Sequence, residues 1–241
     1  MQSTAAPPII ACVFGASGGI GGALVQRLAA DPAVGVVHAG ARAMVAGGGK
    51  ILPFAFDLTD EASIALAAQD IGPVDLVIIA TGMLHDGTIQ PEKSLRAQTP
   101  EGYARAFAIN AIGPALIGKH FLPLLPRDRR GVFAALSARV SSISDNRLGG
   151  WHAYRASKAA LNMIIRNFAV ELARTHKQAI AVTLHPGTVD SALSEPFQRN
   201  VEPDKLFTPD YSAERLLSVL DGLTPADSGH LFAWDGQRVD F

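Results

Sequence analysis

The sequence predicts an α/β fold: a doubly wound, mostly parallel sheet with helices on both faces. Three observations carry that expectation. Short apolar runs rich in Val, Ile and Phe recur along the chain, with longer stretches of helical spacing between them. A glycine cluster lies between the first such run and the first helical stretch. The 241 residues contain no internal repeat, no low-complexity tract and no dividing linker, so residues 1–241 suit one domain better than two.

Ile9 to Phe14 reads as the first strand and Ile20 to Ala30 as the helix after it. Val34 to His38 and Ile51 to Ala55 follow as strands, and the run Ala46-Gly47-Gly48-Gly49 reads as a crossover shortened to a loop. Asp60 to Ala68 is a short helix with Thr59 as its cap. Leu76 to Ile79 is continuously apolar, as a strand covered on both faces must be. A long helical stretch runs from about Glu101 to Leu125, and Pro114 is expected to bend it. Val132 to Leu136 is the fifth strand, His152 to His176 a second long helix, and Ala179 to Leu184 the sixth strand. Ala213 to Leu220 is the last helix and Leu231 to Trp234 the closing strand. Thr81 to Pro100 and Val189 to Pro209 resist assignment. Both follow strand C-termini, where open α/β sheets bind ligands, and the second (about 189–209) is expected to cover the substrate.

Composition narrows the functions. With 48% hydrophobic and 18% charged residues the chain can build a buried core. Lys plus Arg number 21 against 22 for Asp plus Glu, so no strong field favours nucleic acid or an acidic membrane. The opening MQSTAAPPII holds no Lys or Arg and leads almost directly into the glycine cluster, unlike a secretory signal. No apolar run reaches the ~18 residues a bilayer span needs. A soluble, cytoplasmic protein is expected. Cys12, the only cysteine, reads as a small buried hydrophobe. The seven histidines form no HxxxH pair and there is no cysteine cluster, so no metal site is expected; His85, His152 and His185 fall near strand or helix ends and suit a pocket lining instead. Gly15-Ala16-Ser17-Gly18-Gly19 has the Gly-x-Ser-x-Gly spacing of serine hydrolases, but Ser17 in this glycine turn does not read as a nucleophile elbow.

Gly15-Ala16-Ser17-Gly18-Gly19-Ile20-Gly21 joins the first strand to the first helix. Glycine lets a backbone turn tightly and approach a pyrophosphate, which then meets the free N–H groups of the helix N-terminus. This is the dinucleotide turn of a Rossmann-type sheet. An NAD site usually places an acid at the end of the second strand. Here Val36-Val37-His38-Ala39-Gly40-Ala41-Arg42 offers an arginine and no carboxylate. A guanidinium fork suits a 2′-phosphate, so NADP is expected over NAD.

Tyr154-Arg155-Ala156-Ser157-Lys158 is the most informative pentapeptide. Residues four apart share a helix face, so phenol and ammonium project into the same space. A cation there is expected to favour the phenolate and make Tyr154 a usable acid or base for a carbonyl–alcohol pair.

The spacing GxxxGxG, with Phe14 where a threonine is usual, and Tyr154-x-x-x-Lys158 together resemble the short-chain dehydrogenase/reductase family from Ile9 to about Ser191. The resemblance implies a hydride transfer between NADP(H) and a small carbonyl or alcohol substrate. Gly15, Ser17, Gly19, Ile20 and Gly21 would hold the pyrophosphate, and Asp57-Leu58 resembles the pair that meets the adenine. Ala80-Thr81-Gly82 stands in the place of the family's Asn-Ala-Gly. Pro186-Gly187-Thr188-Val189 resembles the segment beside the nicotinamide, with Ser191 near the phosphates. Lys158 would bind the nicotinamide ribose, and Asn110 would hold a water in a proton relay. A serine about a dozen residues before the tyrosine would polarise the substrate oxygen. Spacing leaves Ser141 and Ser142 open; the run from Ser142 through Asp145-Asn146 to Gly149-Gly150-Trp151 resembles the carbonyl-reductase-like and C-factor-like branch and favours Ser142. Trp151 and His152 would shape one wall of the pocket. Two other readings share part of this pattern: an epimerase or dehydratase, for which the chain is short, and an NADP(H)-binding signalling or sensing module without turnover. Self-association as a homodimer or homotetramer, often through the two long helices, is also implied.

Overall fold

The computed structural model describes residues 7–241; residues 1–6, on which part of the expectation about a secretory signal rests, lie outside the described residues. The first strand, β1 (Ile9–Phe14), lies deep in the sheet, and Ala11, Cys12, Val13 and Phe14 are fully buried. Alternation of side chains along a strand then sorts them to two faces. Ala11 and Val13 join a core with Leu24, Val25 and Leu28 of α1 (Gly19–Ala30) and Leu216 and Leu220 of α6 (Pro209–Gly222). Cys12 and Phe14 join the opposite core with Ile117 and Phe121 of α4 (Gly113–Phe121) and Leu161 and Ile165 of α5 (His152–Thr175). One sheet is thus covered on both faces, as its unbroken apolar strands require.

The remaining strands of that sheet are β2 (Val34–Ala41), β3 (Ile51–Ala55), β4 (Leu76–Ile79), β5 (Gly131–Leu136), β6 (Ala179–His185), β9 (Leu231–Ala233) and β10 (Arg238–Val239). Their order is β10-β9-β6-β5-β4-β1-β2-β3, parallel throughout except for the antiparallel β10–β9 pair. Chain order reverses between β1 and β4. That switch point opens a crevice at the C-terminal strand ends, and the site is built there. Among the described residues no helix is long and apolar enough to cross a membrane.

Several expectations need correction. Thr59 does not cap α2 (Glu61–Ile71); Asp60 does, its carboxylate accepting from the Ala62 N–H, while Thr59 donates to Asp57. The long helical stretch is not one uniform α-helix. It runs as α3 (Pro100–Phe107), a π-helical turn over Ala108–Ile112, and α4, with Pro114 at an early α4 position where its missing N–H is tolerated. β2 runs past His38 to Ala41, and α6 starts at Pro209 rather than Ala213. The segment expected as a covering loop contains a short parallel pair, β7 (Thr188–Val189) with β8 (Leu206–Phe207), and two 3₁₀ turns. Phe14, in the place of the resemblance's threonine, is an aromatic core residue meeting the rings of Phe54, Phe56 and Phe121 edge-on at 4.9–5.5 Å.

Candidate active site

The glycine turn has the shape its sequence foretells. Gly15 sits at φ 92°, and a Cβ on it would lie 2.9 Å from the Ala80 carbonyl carbon, so the turn and the end of β4 touch backbone to backbone. A Cβ at Gly21 would lie 2.1 Å from the Gly15 carbonyl oxygen, so only glycine lets α1 start this close to β1. Gly18 is the N-cap of α1 and supplies no side chain to the helix N–H groups, which stay available to an anion.

A cleft of about 570 Å³ runs from this turn across the sheet. Gly18, Gly19, Ile20 and Gly21 wall one end, with Ala80, Thr81 and Gly82 beside them. Tyr154 and Lys158 stand on the α5 wall, His185 ends β6, and Pro186, Gly187, Val189 and Ser191 follow it. Trp151, Leu193, Phe197 and Val201 add an apolar rim. Most of the expected residues therefore share one cavity. Gly15 and Ser17 belong to the turn without facing the cleft, and Arg42, Asp57 and Leu58 lie outside its walls on the β2–β3 side. Asp57 accepts two hydrogen bonds from Thr59, which hold its carboxyl below the usual range, with Arg42 adding a smaller pull in the same direction. Leu58 packs at Gly113, where a Cβ would sit 2.3 Å from its Cγ.

Tyr154 and Lys158 are both buried, and the Lys158 ammonium donates to the Leu136 carbonyl at 2.7 Å. Desolvation dominates both groups: it pushes the phenol up to about 12 and the amine down to about 7. This corrects the expectation that the neighbouring cation would favour the phenolate. Desolvation therefore favours the neutral phenol.

Asn110 is fully buried in the π-helical turn. Its oxygen accepts from the Met83 N–H and its amide donates to the Met83 carbonyl (2.8 Å each) and to Ser157 Oγ (3.0 Å). Ser157 in turn donates to the Tyr154 carbonyl at 2.8 Å. Asn110 thereby ties the segment after β4 to the helix that carries the tyrosine. The sequence reading passed over Ser157, although its place between Tyr154 and Lys158 was visible.

The structure does not bring Ser142 into the cleft. Ser142 lines a separate cavity of about 290 Å³ together with Ser144, Asp145 and Trp234; its hydroxyl meets Ser144 and accepts from the Asp145 N–H. Ser141 is buried in a 3₁₀ turn, donating to the Ala138 carbonyl and accepting from Asn162. After β5 the cleft is lined by Ser137, Ala138, Arg139 and Val140 instead.

Glu92 was also missed. Its buried carboxylate accepts from the Ala153 N–H at 3.3 Å, and its carbonyl accepts from the Trp151 N–H at 2.6 Å. It caps a 24-residue helix whose own N-cap, Trp151, is left-handed (φ 49°) and offers no side-chain cap. Trp151 packs edge-on against Tyr154 and Phe197, with centroids 6.2 and 5.0 Å apart, and so does shape a wall; His152 does not line the cleft. His85 meets Phe197 edge-on at 5.8 Å from outside the cleft walls.

Among the described residues, Thr81 Oγ1 and His185 Nδ1 are buried without a hydrogen-bond partner, and both residues line the cleft. Buried polar atoms rarely stay unpaired.

Comparison with known proteins agrees with this fold. A family model described as short chain dehydrogenase matches residues 9–202. The C-signal of Myxococcus xanthus is 37% identical over 136 residues, 56% of this chain and 76% of that protein. An uncharacterized oxidoreductase of Schizosaccharomyces pombe is 28% identical over 202 residues, covering 77% of this chain and 76% of that one. The NADPH-bound carbonyl reductase from chicken fatty liver superposes with a TM-score of 0.84 over 100% of this chain and 97% of its own, at 24% identity, a likeness of fold. A short chain dehydrogenase from Burkholderia cenocepacia in complex with NADP gives a TM-score of 0.75 at 25% identity, over 90% of this chain and 85% of that one.

Proposed function

The chain belongs to the short-chain dehydrogenase family and is an oxidoreductase, and from that premise we propose that it reduces a small carbonyl compound with NADP(H) inside the cell, with Tyr154 as general acid. The observation that carries the reading is the single cleft shared by the Gly18–Gly21 turn and the Tyr154–Lys158 pair. The residues fit the dinucleotide: the start of α1 leaves N–H groups free for a pyrophosphate, and Thr81, whose buried hydroxyl has no partner, lines the same cleft beside the glycine turn. Arg42, directly after β2 with no carboxylate at that strand end, favours a 2′-phosphate, and the NADP bound by the Burkholderia cenocepacia protein is consistent with that preference.

When bound, the nicotinamide supplies the hydride. The protein's part is to orient and to move a proton. Tyr154, protonated across the neutral range, donates its phenolic hydrogen to the oxygen that gains charge as the carbonyl carbon is reduced. Lys158, pinned on the Leu136 carbonyl, stands ready to bind the ribose and to pass a proton toward the phenol. Asn110 holds Met83 and, through Ser157, the first turn of α5, which keeps that phenol in register with the turn at residues 15–21. The apolar rim of Trp151 and Phe197 suits an apolar substrate body. Exposed Ile112, Met163 and Val170 on the two long helical segments support self-association as a homodimer or homotetramer.

The test is loss of nicotinamide absorbance when the protein is mixed with NADPH or NADH and a panel of aldehydes, ketones and quinones. NADPH consumption by the wild type, and its loss by at least a hundredfold in Tyr154→Phe with NADPH binding retained, is the expected result. Equal turnover in Tyr154→Phe would remove the tyrosine from the mechanism. NADPH binding with no turnover on any carbonyl would leave a nucleotide-sensing module.

A further inference from the structure

Of the two serines the resemblance left open for the substrate oxygen, Ser142 faces another cavity, and Ser141 lies outside the cleft walls with its hydroxyl donated to the Ala138 carbonyl, so another group must meet that oxygen. The requirements are physical: the group must line the cleft near Tyr154, donate a hydrogen bond, and have no partner already. The cleft's serine hydroxyls are engaged. Ser137 donates to Ser141, and Ser191 and Ser194 both donate to the Val189 carbonyl. The Arg139 guanidinium is exposed and held by Asp145 at 2.7 Å, and Thr188 is exposed. Thr81 is unpaired but belongs to the nucleotide end, beside Gly15.

His185 meets all three. It is the last residue of β6, directly after Leu184, which lies opposite Leu136 of β5. The Leu184 carbonyl accepts from the Ser137 N–H at 2.7 Å, and the Leu136 carbonyl accepts from Lys158. Two adjacent strand ends thus carry the imidazole and the lysine contact on one edge of the cleft. His185 lines both this cleft and the cavity that holds Ser142, and its Nδ1 is buried with no partner among the described residues.

We propose that His185 is a further catalytic residue, a neutral imidazole that donates a hydrogen bond from Nδ1 to the substrate oxygen beside Tyr154, in the role the sequence assigned to Ser142. This rests on the reading of the cleft as a carbonyl reductase site. Burial holds the ring neutral, with its pKa lowered to about 4; Arg139, from the turn after β5, pushes the same way, and Asp235, after β9, opposes it. A neutral imidazole keeps its N–H while the oxygen gains charge, so it stabilises that charge without competing with Tyr154 to deliver the proton.

The experiment measures kcat, KM and the NADPH Kd for wild type, His185→Leu and His185→Gln on the best carbonyl from the panel. His185→Leu is expected to lower kcat about a hundredfold, as loss of one such donor does, with the NADPH Kd within twofold of wild type. His185→Gln keeps an N–H donor and is expected to recover at least tenfold of that loss. Should the leucine variant fail to fold, His185→Met takes its place. The inference is overturned if the leucine or methionine variant keeps kcat within twofold, if NADPH binding weakens as much as kcat, or if glutamine does no better than leucine. Turnover abolished in Tyr154→Phe but normal without the imidazole sinks this inference alone. No NADPH consumption by wild type with any carbonyl sinks the reading of the site as well.

Discussion

At the scale of single residues, burial sets the chemistry of Tyr154 and Lys158. Lys158 drops from 10.5 to about 7, so between pH 7 and 10.5 the unfolded chain binds a proton that the folded one does not. Its contribution to stability therefore rises with pH through that window and declines as pH falls toward 7. Tyr154, raised from 10.0 to about 12, acts oppositely above pH 10, where only the unfolded phenol ionises. Urea unfolding at pH 7, 8 and 9 should show wild type gaining on Lys158→Met by up to about 1.4 kcal/mol per pH unit. Parallel stabilities would mean that the lysine stays charged in the fold. Tyr154 and Lys158 were legible in the sequence because four residues on a helix define a face without outside help. Ser142 was misread for the complementary reason. Its side chain is aimed by a 3₁₀ turn and by contacts with Ser144 and Asp145, and counting residues back from the tyrosine cannot see a turn. His185 carried a weak signal, a histidine at a strand end, but its unpaired nitrogen exists only in three dimensions.

Among the elements, α5 matters most, because it begins on strained backbone yet must aim Tyr154. Gly149, Gly150 and Trp151 are left-handed in succession, and a non-glycine in that region costs on the order of 1 kcal/mol. Glu92 offsets the strain from 61 residues upstream in sequence by accepting from both Trp151 and Ala153. Its carboxylate also meets the positive end of the helix. Glu92→Ala is expected to lower stability by about 1–2 kcal/mol, the size of a lost cap, and to cut kcat about tenfold while NADPH binding stays within twofold. Urea titration and steady-state kinetics check the two halves, and unchanged kcat would confine Glu92 to a structural role. The sequence could not announce this contact, since the segment from 81 to 100 has almost no regular structure and is organised by hydrogen bonds to Asn110 and α5. Strands and helices were legible because each repeats its pattern over several residues. Their ends were less so: Asp60 and Thr59 are both good caps, and in the fold Asp60 accepts from the Ala62 N–H while Thr59 donates to Asp57 instead. The π-helical turn at 108–112 leaves no periodic mark that would separate it from the α-helix around it.

For the whole molecule, the sheet divides at the β1–β4 switch point. The halves on either side line different parts of one cleft, the glycine turn on one and Lys158 and the residues after β6 on the other, and the proposed nucleotide would reach beyond it to Arg42. A ligand spanning that division binds only the folded state and so stabilises it by mass action. At a hundred times its Kd, NADPH should add about 2.7 kcal/mol, which in a chain of this length raises Tm by roughly 5–11 °C. NADH at the same concentration should raise it less, because Arg42 then meets no 2′-phosphate. Arg42→Glu sharpens the comparison. It puts a carboxylate where the phosphate would lie, so the order of the two shifts should reverse while the protein's own Tm without nucleotide hardly moves, Arg42 being exposed at a strand end. Differential scanning fluorimetry with both cofactors on both proteins reads all of this in one experiment. If NADH matches NADPH on the wild type, or if Arg42→Glu leaves their difference untouched, the charge at the end of β2 does not choose the cofactor. The selection must then come from the Asp57 side of the site, where Thr59 already occupies the carboxylate.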